Sequence, residues 1–130
     1  MFEMPKVCLD APNGAPVAAP YSTAVSAAGL LFISGQGPMA RDGSGVVPGT
    51  FEEEARLTLD NLKIVLEDVG SDLEHVVKTT VFLADMERFA EFNAIYTEYF
   101  PENFPARTCI QAGRLPLDFQ VEVEAIAIPV

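Results

Sequence analysis

Residues 50–84 read "TFEEEARLTLDNLKIVLEDVGSDLEHVVKTTVFLA", and the hydrophobic period changes partway along. In the first part Phe51, Ala55, Leu59, Leu62, Leu66 and Val69 recur at steps of three and four, which predicts one apolar helical face. Thr50 and Glu53 form the T-x-x-E pattern of a capping box. Glu52, Glu53 and Glu54 fall where the helix dipole favours negative charge. Gly70 is placed to end the helix. Beyond His75 the run "VVKTTVFLA" is dense in β-branched residues and predicts a strand. A helix that feeds directly into a strand excludes an all-β or all-α chain.

The flanks extend this order. A second helix is expected from about Met86 to Phe100, with Asp85 as N-cap, Pro101 closing it, and a stripe of Met86, Phe89, Ala90, Asn93, Tyr96 and Phe100. "ARTCIQA" (106–112) and "QVEVEAIAI" (120–128) read as strands joined by "GRLPLDF". Towards the N-terminus, "YSTAVSAAG" (21–29) and "LLFISGQG" (30–37) read as strands with a turn at Ala28-Gly29. "APNGAPVAAP" and "ARDGSGVVPG" are loops rich in Pro, Gly, Asn and Asp. The expectation is an α+β chain forming a single domain over residues 1–130, with no internal repeat.

Two helices can cover one face of such a sheet. In the last strand Val121, Val123, Ala125 and Ala127 suit packing under helices, and Gln120, Glu122, Glu124, Ile126 and Ile128 fall on the other side. Ile126, Ile128 and either Phe32 or Ile33 would then be wet in a monomer, so subunit association is expected.

Composition removes several function classes. Net charge is −11, from 8 basic and 19 acidic residues, and the basic ones are scattered singly. Binding to a phosphate backbone needs clustered Lys and Arg, so nucleic acid is a poor partner. The one histidine, His75, excludes a His-rich metal site, and no second feature points at a nucleophile for a serine-type triad. Cys8 and Cys109 are spaced neither as a redox pair nor as zinc ligands. "GQGPMA" (35–40) matches a dinucleotide fingerprint in letters only, because the "RDGSG" that follows is no helix start. No apolar stretch approaches a membrane span. "MFEMPKVCLDAPNG" lacks the basic start and apolar block of a signal peptide, so a cytoplasmic location is expected.

The candidates for chemistry are Arg107, Cys109, Glu122 and Asn93. If Ile110 faces the helices, Arg107 and Cys109 face away; if Val121 and Val123 face the helices, Glu122 faces away too. The expectation is a guanidinium and a carboxylate together on the uncovered face, where protomers meet. That pair is a substrate site or a structural ion pair. Asn93 interrupts an apolar stripe, and a buried amide needs partners. Cys109 taken alone reads as a small core residue before a nucleophile, and Tyr21 as a packing aromatic.

The segments "APYSTAV", "FISGQGP", "LDNLKIVLEDVGSDLEHVVKTTVFLADMERFAEFNAIYTEYF", "FPARTCIQAGRLP" and "VEVEAIAI" resemble the RidA/YjgF family of enamine/imine deaminases, also called the L-PSP endoribonuclease family. The resemblance covers residues 10 to 128. It implies a chorismate-mutase-like fold, a mixed sheet with two helices on one face, assembled as a homotrimer with clefts between subunits. It implies that Arg107 holds a substrate carboxylate and that Glu122 orients the water attacking a C=N carbon. Tyr21, Ser34, Gly35, Asn93, Thr108 and Cys109 match the remaining cleft positions. The implied activity is hydrolysis of 2-iminobutanoate and 2-iminopropanoate, released by PLP enzymes, to 2-oxo acids and ammonia, with no metal and no cofactor. A larger enamine such as 2-aminomuconate, a non-catalytic carboxylate-binding role and, last, an endoribonuclease are the alternatives.

Two departures from the family pattern stand out. Gly37 replaces a larger aliphatic after S-G-Q, which is expected to enlarge or loosen the cleft. "CIQAG" replaces a more apolar run.

Overall fold

A computed structural model describes residues 5–130; residues 1–4, the start of the run read for a targeting signal, lie outside the described residues. The chain forms strands β1 (Val7–Leu9), β2 (Ala24–Ala27) and β3 (Leu30–Gln36), helix α1 (Phe51–Asp68), strand β4 (Val76–Leu83), helix α2 (Phe89–Tyr99), and strands β5 (Ala106–Gln111) and β6 (Val121–Ala127). All six strands join one sheet in the order β1-β2-β3-β6-β4-β5. Every pairing is antiparallel except β4 with β5.

This topology explains why both helices lie on one face. Because β6 runs antiparallel to both β3 and β4, those two strands are parallel to each other, and β5 is parallel to β4. Parallel strands need crossover connections, and these are α1 and α2. Both crossovers advance the same way across the sheet, so the shared handedness of such connections puts both helices on the same side.

The caps behave as the sequence predicts. Thr50 accepts from the Glu53 backbone N–H, and the Glu53 carboxylate accepts from the Thr50 N–H at 2.9 Å, completing the box. Gly70 follows α1 with φ 89°, the left-handed position a glycine fills at least cost. Ala28 and Gly29 both have positive φ, 52° and 77°, the type I′ combination that matches the twist of the β2–β3 hairpin. "GQGPMA" leads into a loop closed by a Met39–Val46 bridge, with no helix.

The core lies between the sheet and the helices. Leu59, Leu62, Val65 and Leu66 of α1 and Phe92 of α2 are fully buried against Val81, Leu83, Val121, Val123 and Ala127. The second helical stripe differs from its expectation. Residues Met86–Arg88 form a separate 3-10 turn, and α2 buries Phe92, Ile95 and Tyr96, while Phe89 and Ala90 are exposed. Apolar residues also flank the expected stripe, so the sequence period alone does not fix which face of α2 packs inward. Gln120 also departs. Its amide turns to the helix side and donates to the Glu54 carboxylate at 2.8 Å.

The opposite face carries Phe32, Ile126 and Ile128, with Phe32 40% exposed and Ile33 buried beneath the helices. Phe32 pairs with Ile126, so the wet apolar residues are contiguous.

Candidate functional site

The predicted residues gather in two separate places. The first is a cleft of about 620 Å³ whose lining includes Tyr21, Ser34, Gly35, Met39, Phe119 and Glu122. A β-bulge builds its floor. Ile33 pairs with Ala125 and Gln36 with Val123, so Ser34 and Gly35 together oppose Glu124 alone. Such a bulge re-aims side chains and bends the strand. The Ser34 hydroxyl donates to the Ser22 carbonyl at 2.6 Å, tying the floor to the "APYS" loop. The Glu122 carboxylate lies directly against Gly35, and a Cβ there would displace it. Glu122 is half-buried, and burial first, then the neighbouring Glu124 charge, pushes its carboxyl above the ordinary range. A carboxylate with a raised pKa is better matched to accept a proton near neutral pH. Tyr21 is 52% exposed at the cleft wall rather than packed away.

The second place lies at the other edge of the sheet. The Arg107 guanidinium is seated over two aromatic rings of α2, 5.5 Å from the centroid of Phe89 and 4.9 Å from that of Tyr96. Tyr96 is held by a 2.8 Å hydrogen bond between its hydroxyl and that of Thr79. Asn93 stands on α2 between the two aromatic residues, and its Oδ1 is buried without a hydrogen-bond partner among the described residues. Cys109 packs against the core, and burial raises its thiol pKa while the Arg107 charge lowers it. A thiol held protonated is no nucleophile.

The expectation that Arg107, Cys109 and Glu122 share the uncovered face is therefore corrected. Arg107 pairs with Thr79 and Cys109 with Val81, both fully buried under the helices, whereas Ile110 is 45% exposed on the other side. Glu122 pairs with Phe82, on the open face. The premise that Ile110 faces the helices fails because β5 is an edge strand. An edge position offers little core to fill, so its apolar residue need not point inward. Thr108, exposed and alternating with Arg107, also faces away from the helices.

Gly37 is corrected as well. A Cβ there would lie 2.6 Å from Cδ2 of Phe119, so the Phe119 ring already fills the space that a larger residue would occupy. The cleft is not loosened at this point. Three further residues were given no site role from the sequence: Phe89, stacked on Arg107; Phe119; and Asn61. Buried in α1, Asn61 donates to the carbonyls of Gly37 and Met39, both at 2.9 Å, and so holds the cleft wall. Phe89 and Tyr96, seven apart with Asn93 between, were the available signal for the Arg107 seat.

Among the described residues neither Arg107 nor Glu122 belongs to an ion pair. The structural ion pair offered as their alternative role is thus absent within the protomer. What stands in its place is a cation cradled by π-faces at one edge and a carboxylate in an apolar cleft on the other face.

Known proteins share this arrangement of elements. The mitochondrial protein mmf2 of Schizosaccharomyces pombe is 46% identical over 83% of this chain and 86% of its own. The YjgF gene product of E. coli superposes with a TM-score of 0.84 at 36% identity, covering 94% of this chain and 98% of that one. TdcF of E. coli, solved with bound serine, gives a TM-score of 0.88 at 31% identity over 95% and 99%. The sequence model described as Endoribonuclease L-PSP matches residues 12–129, and on this ground the chain belongs to the RidA/YjgF family.

Proposed function

We propose that the protein is a cytoplasmic imine deaminase that hydrolyses 2-iminobutanoate and 2-iminopropanoate to 2-oxo acids and ammonia, acting as a homotrimer with its sites between protomers. The observation that carries this reading is the split constellation: Arg107 and Glu122, neither in an ion pair among the described residues, stand on opposite faces of one sheet. A clamp and a base so placed can meet on one small substrate only if different protomers supply them. The contiguous apolar residues Phe32, Ile126 and Ile128 on the open face give copies of the chain a reason to associate.

In such a cleft Arg107 of one protomer binds the substrate carboxylate, its planar fork suited to two parallel hydrogen bonds. Asn93 stands on α2 between Phe89 and Tyr96 and borders the seat that holds Arg107. Glu122 of the other protomer takes a proton from water as the water oxygen bonds to the imine carbon and the C=N π pair moves onto nitrogen. The resulting carbinolamine receives that proton on nitrogen from Glu122, gives its hydroxyl proton back to the Glu122 carboxylate, and expels ammonia as the C=O forms. Tyr21, Ser34 and the backbone around Gly35 and Thr108 border the reacting atoms, and Cys109 packs behind Arg107. A protonated 2-imino acid is already electrophilic, so positioning suffices and no metal or cofactor takes part. The serine bound to TdcF, an amino acid of the same size as these imines, supports the assignment. A net charge of −11 disfavours RNA as the substrate despite the family model's name.

The test is complementation. Arg107→Ala and Glu122→Gln variants are each expected to be inactive in a semicarbazide competition assay coupled to a threonine dehydratase. Co-expressed in equal amounts, they should recover about a quarter of wild-type activity, because in a cyclic oligomer one junction in four combines both intact halves. No recovery in demonstrably mixed oligomers would place both groups in one protomer and end this reading.

A further inference from the structure

We propose that Phe119, packed on Gly37, is the residue that sets the side-chain preference of the cleft: it favours 2-imino acids with aliphatic side chains over aromatic ones. The assignment rests on the deaminase reading above and specifies its substrate class.

The two residues share one volume. A Cβ on Gly37 would lie 2.6 Å from Cδ2 and 2.9 Å from Cζ of the Phe119 ring, inside any tolerable carbon–carbon separation. Glycine at 37 is therefore the condition for an aromatic ring at 119. Because the ring comes from the strand entry on the far side of that volume, it extends the cleft wall beside Glu122, which stands three residues later in β6.

Both partners are rigidly held, which a selective wall requires. Gly37 is fixed through its carbonyl by Asn61. Phe119 is followed by Gln120, whose backbone N–H and side-chain amide both donate to the buried Glu54 carboxylate, at 3.1 and 2.8 Å. It is preceded by a strained turn in which Leu117 and Asp118 both adopt left-handed backbone, φ 54° and 58°, unfavourable for residues with a Cβ. Strain of this kind persists only where the surroundings over-determine it. Here the Phe119 N–H bonds to the Pro116 carbonyl at 3.1 Å and Arg114 pairs with Asp118 at 2.9 Å. The turn leaves Leu117 66% exposed at the cleft mouth while Phe119 is turned inward and buried.

The resulting lining suits an aliphatic chain. Pro16, Val17, Met39, Leu117 and Phe119 present apolar surface, with Glu122 as the carboxylate among the lining residues. A volume of about 620 Å³ exceeds what a three-carbon imine needs, so the wall has side-chain volume to select on.

The experiment compares imines generated in situ by an L-amino-acid oxidase from leucine and from phenylalanine. It also measures calorimetric binding of the matching oxo acids, 4-methyl-2-oxopentanoate and phenylpyruvate. In the wild type the leucine-derived imine should be turned over and the phenylalanine-derived one should lag at least tenfold in kcat/KM. Phe119→Ala should raise the aromatic-to-aliphatic ratio about tenfold or more, the scale on which pocket volume discriminates. Gly37→Val alone should impair both substrates by displacing the ring, and Gly37→Val with Phe119→Ala should recover folding and turnover, which separates shared volume from simple instability. Wild-type turnover with a ratio that Phe119→Ala leaves unmoved overturns this assignment and spares the deaminase reading. No wild-type turnover of any imine, with oxo-acid binding still shifted by Phe119→Ala, overturns the deaminase reading and leaves Phe119 as the selector of a binding cleft.

Discussion

Arg107 and Glu122 lie on opposite faces of one sheet, with β4 between their strands. Arg107 sits in the row of Thr79 and Ala125 beneath the helices, and Glu122 in the row of Phe82 on the open face. Neither can reach the other around a continuous sheet, so each is available to a partner from outside the protomer.

Arg107 is expected to act through shape as well as charge. Arg107→Lys keeps the positive charge but gives up the planar fork and the stacking on Phe89 and Tyr96. Carboxylate affinity, read by calorimetry with 2-oxobutanoate, should fall at least tenfold in Arg107→Lys and further in Arg107→Ala. Equal affinity in Lys and wild-type proteins would mean that a point charge is enough.

The pH dependence follows from Glu122. Its folded-state pKa is raised by burial and by Glu124, so the ionised base disappears at a higher pH than for an ordinary carboxylate. The acid limb of kcat/KM should therefore lie above the usual carboxylate range, with activity lost as pH falls through it. Glu124→Gln removes the like charge and should move that limb downward. An unmoved limb would assign it to another group.

Glu122 should also cost stability. A raised carboxyl pKa means that folding disfavours the charged form, so above the unfolded-state value the ionised residue destabilises the protein. Glu122→Gln is expected to raise the urea midpoint at neutral pH while removing most of the turnover. At a pH below the unfolded-state value, where both states are protonated, the gain should vanish.

Asn61→Ala takes two donors from buried carbonyls of the cleft wall. The loss should be about 1–3 kcal/mol by denaturant titration, moderated because Asn61 Oδ1 is itself unpartnered. If the wall then loosens as expected, KM should rise more than kcat falls.

Phe32→Glu places a charge amid the exposed apolar residues of the open face. The variant should keep its circular dichroism, run as a monomer by light scattering, and lose activity because the two half-sites part. A monomer with full activity would contradict a shared cleft.

Much of this protein was determined locally, and those parts could be read from the chain. The capping box at Thr50 and Glu53, the stop at Gly70, the turn at Ala28-Gly29 and the two-residue alternation of β6 depend on neighbours a few positions apart. The α+β order followed from them, and the P-A-R-x-C and V-E-x-E-A-I-A segments pointed to the family. What tertiary structure alone decided was which side an edge strand presents and which distant residues share a volume. The alternation in β5 says that Arg107 and Ile110 face opposite ways but not which of them faces the core, because an edge strand buries little on either side. That choice was made by Phe89 and Tyr96, brought over Arg107 by the crossover from β4 to β5. Likewise Gly37 reads as a deficit until Phe119, 82 positions later by the numbering, is found filling its place. Packing couples residues by proximity in space, and the sequence records proximity only along the chain.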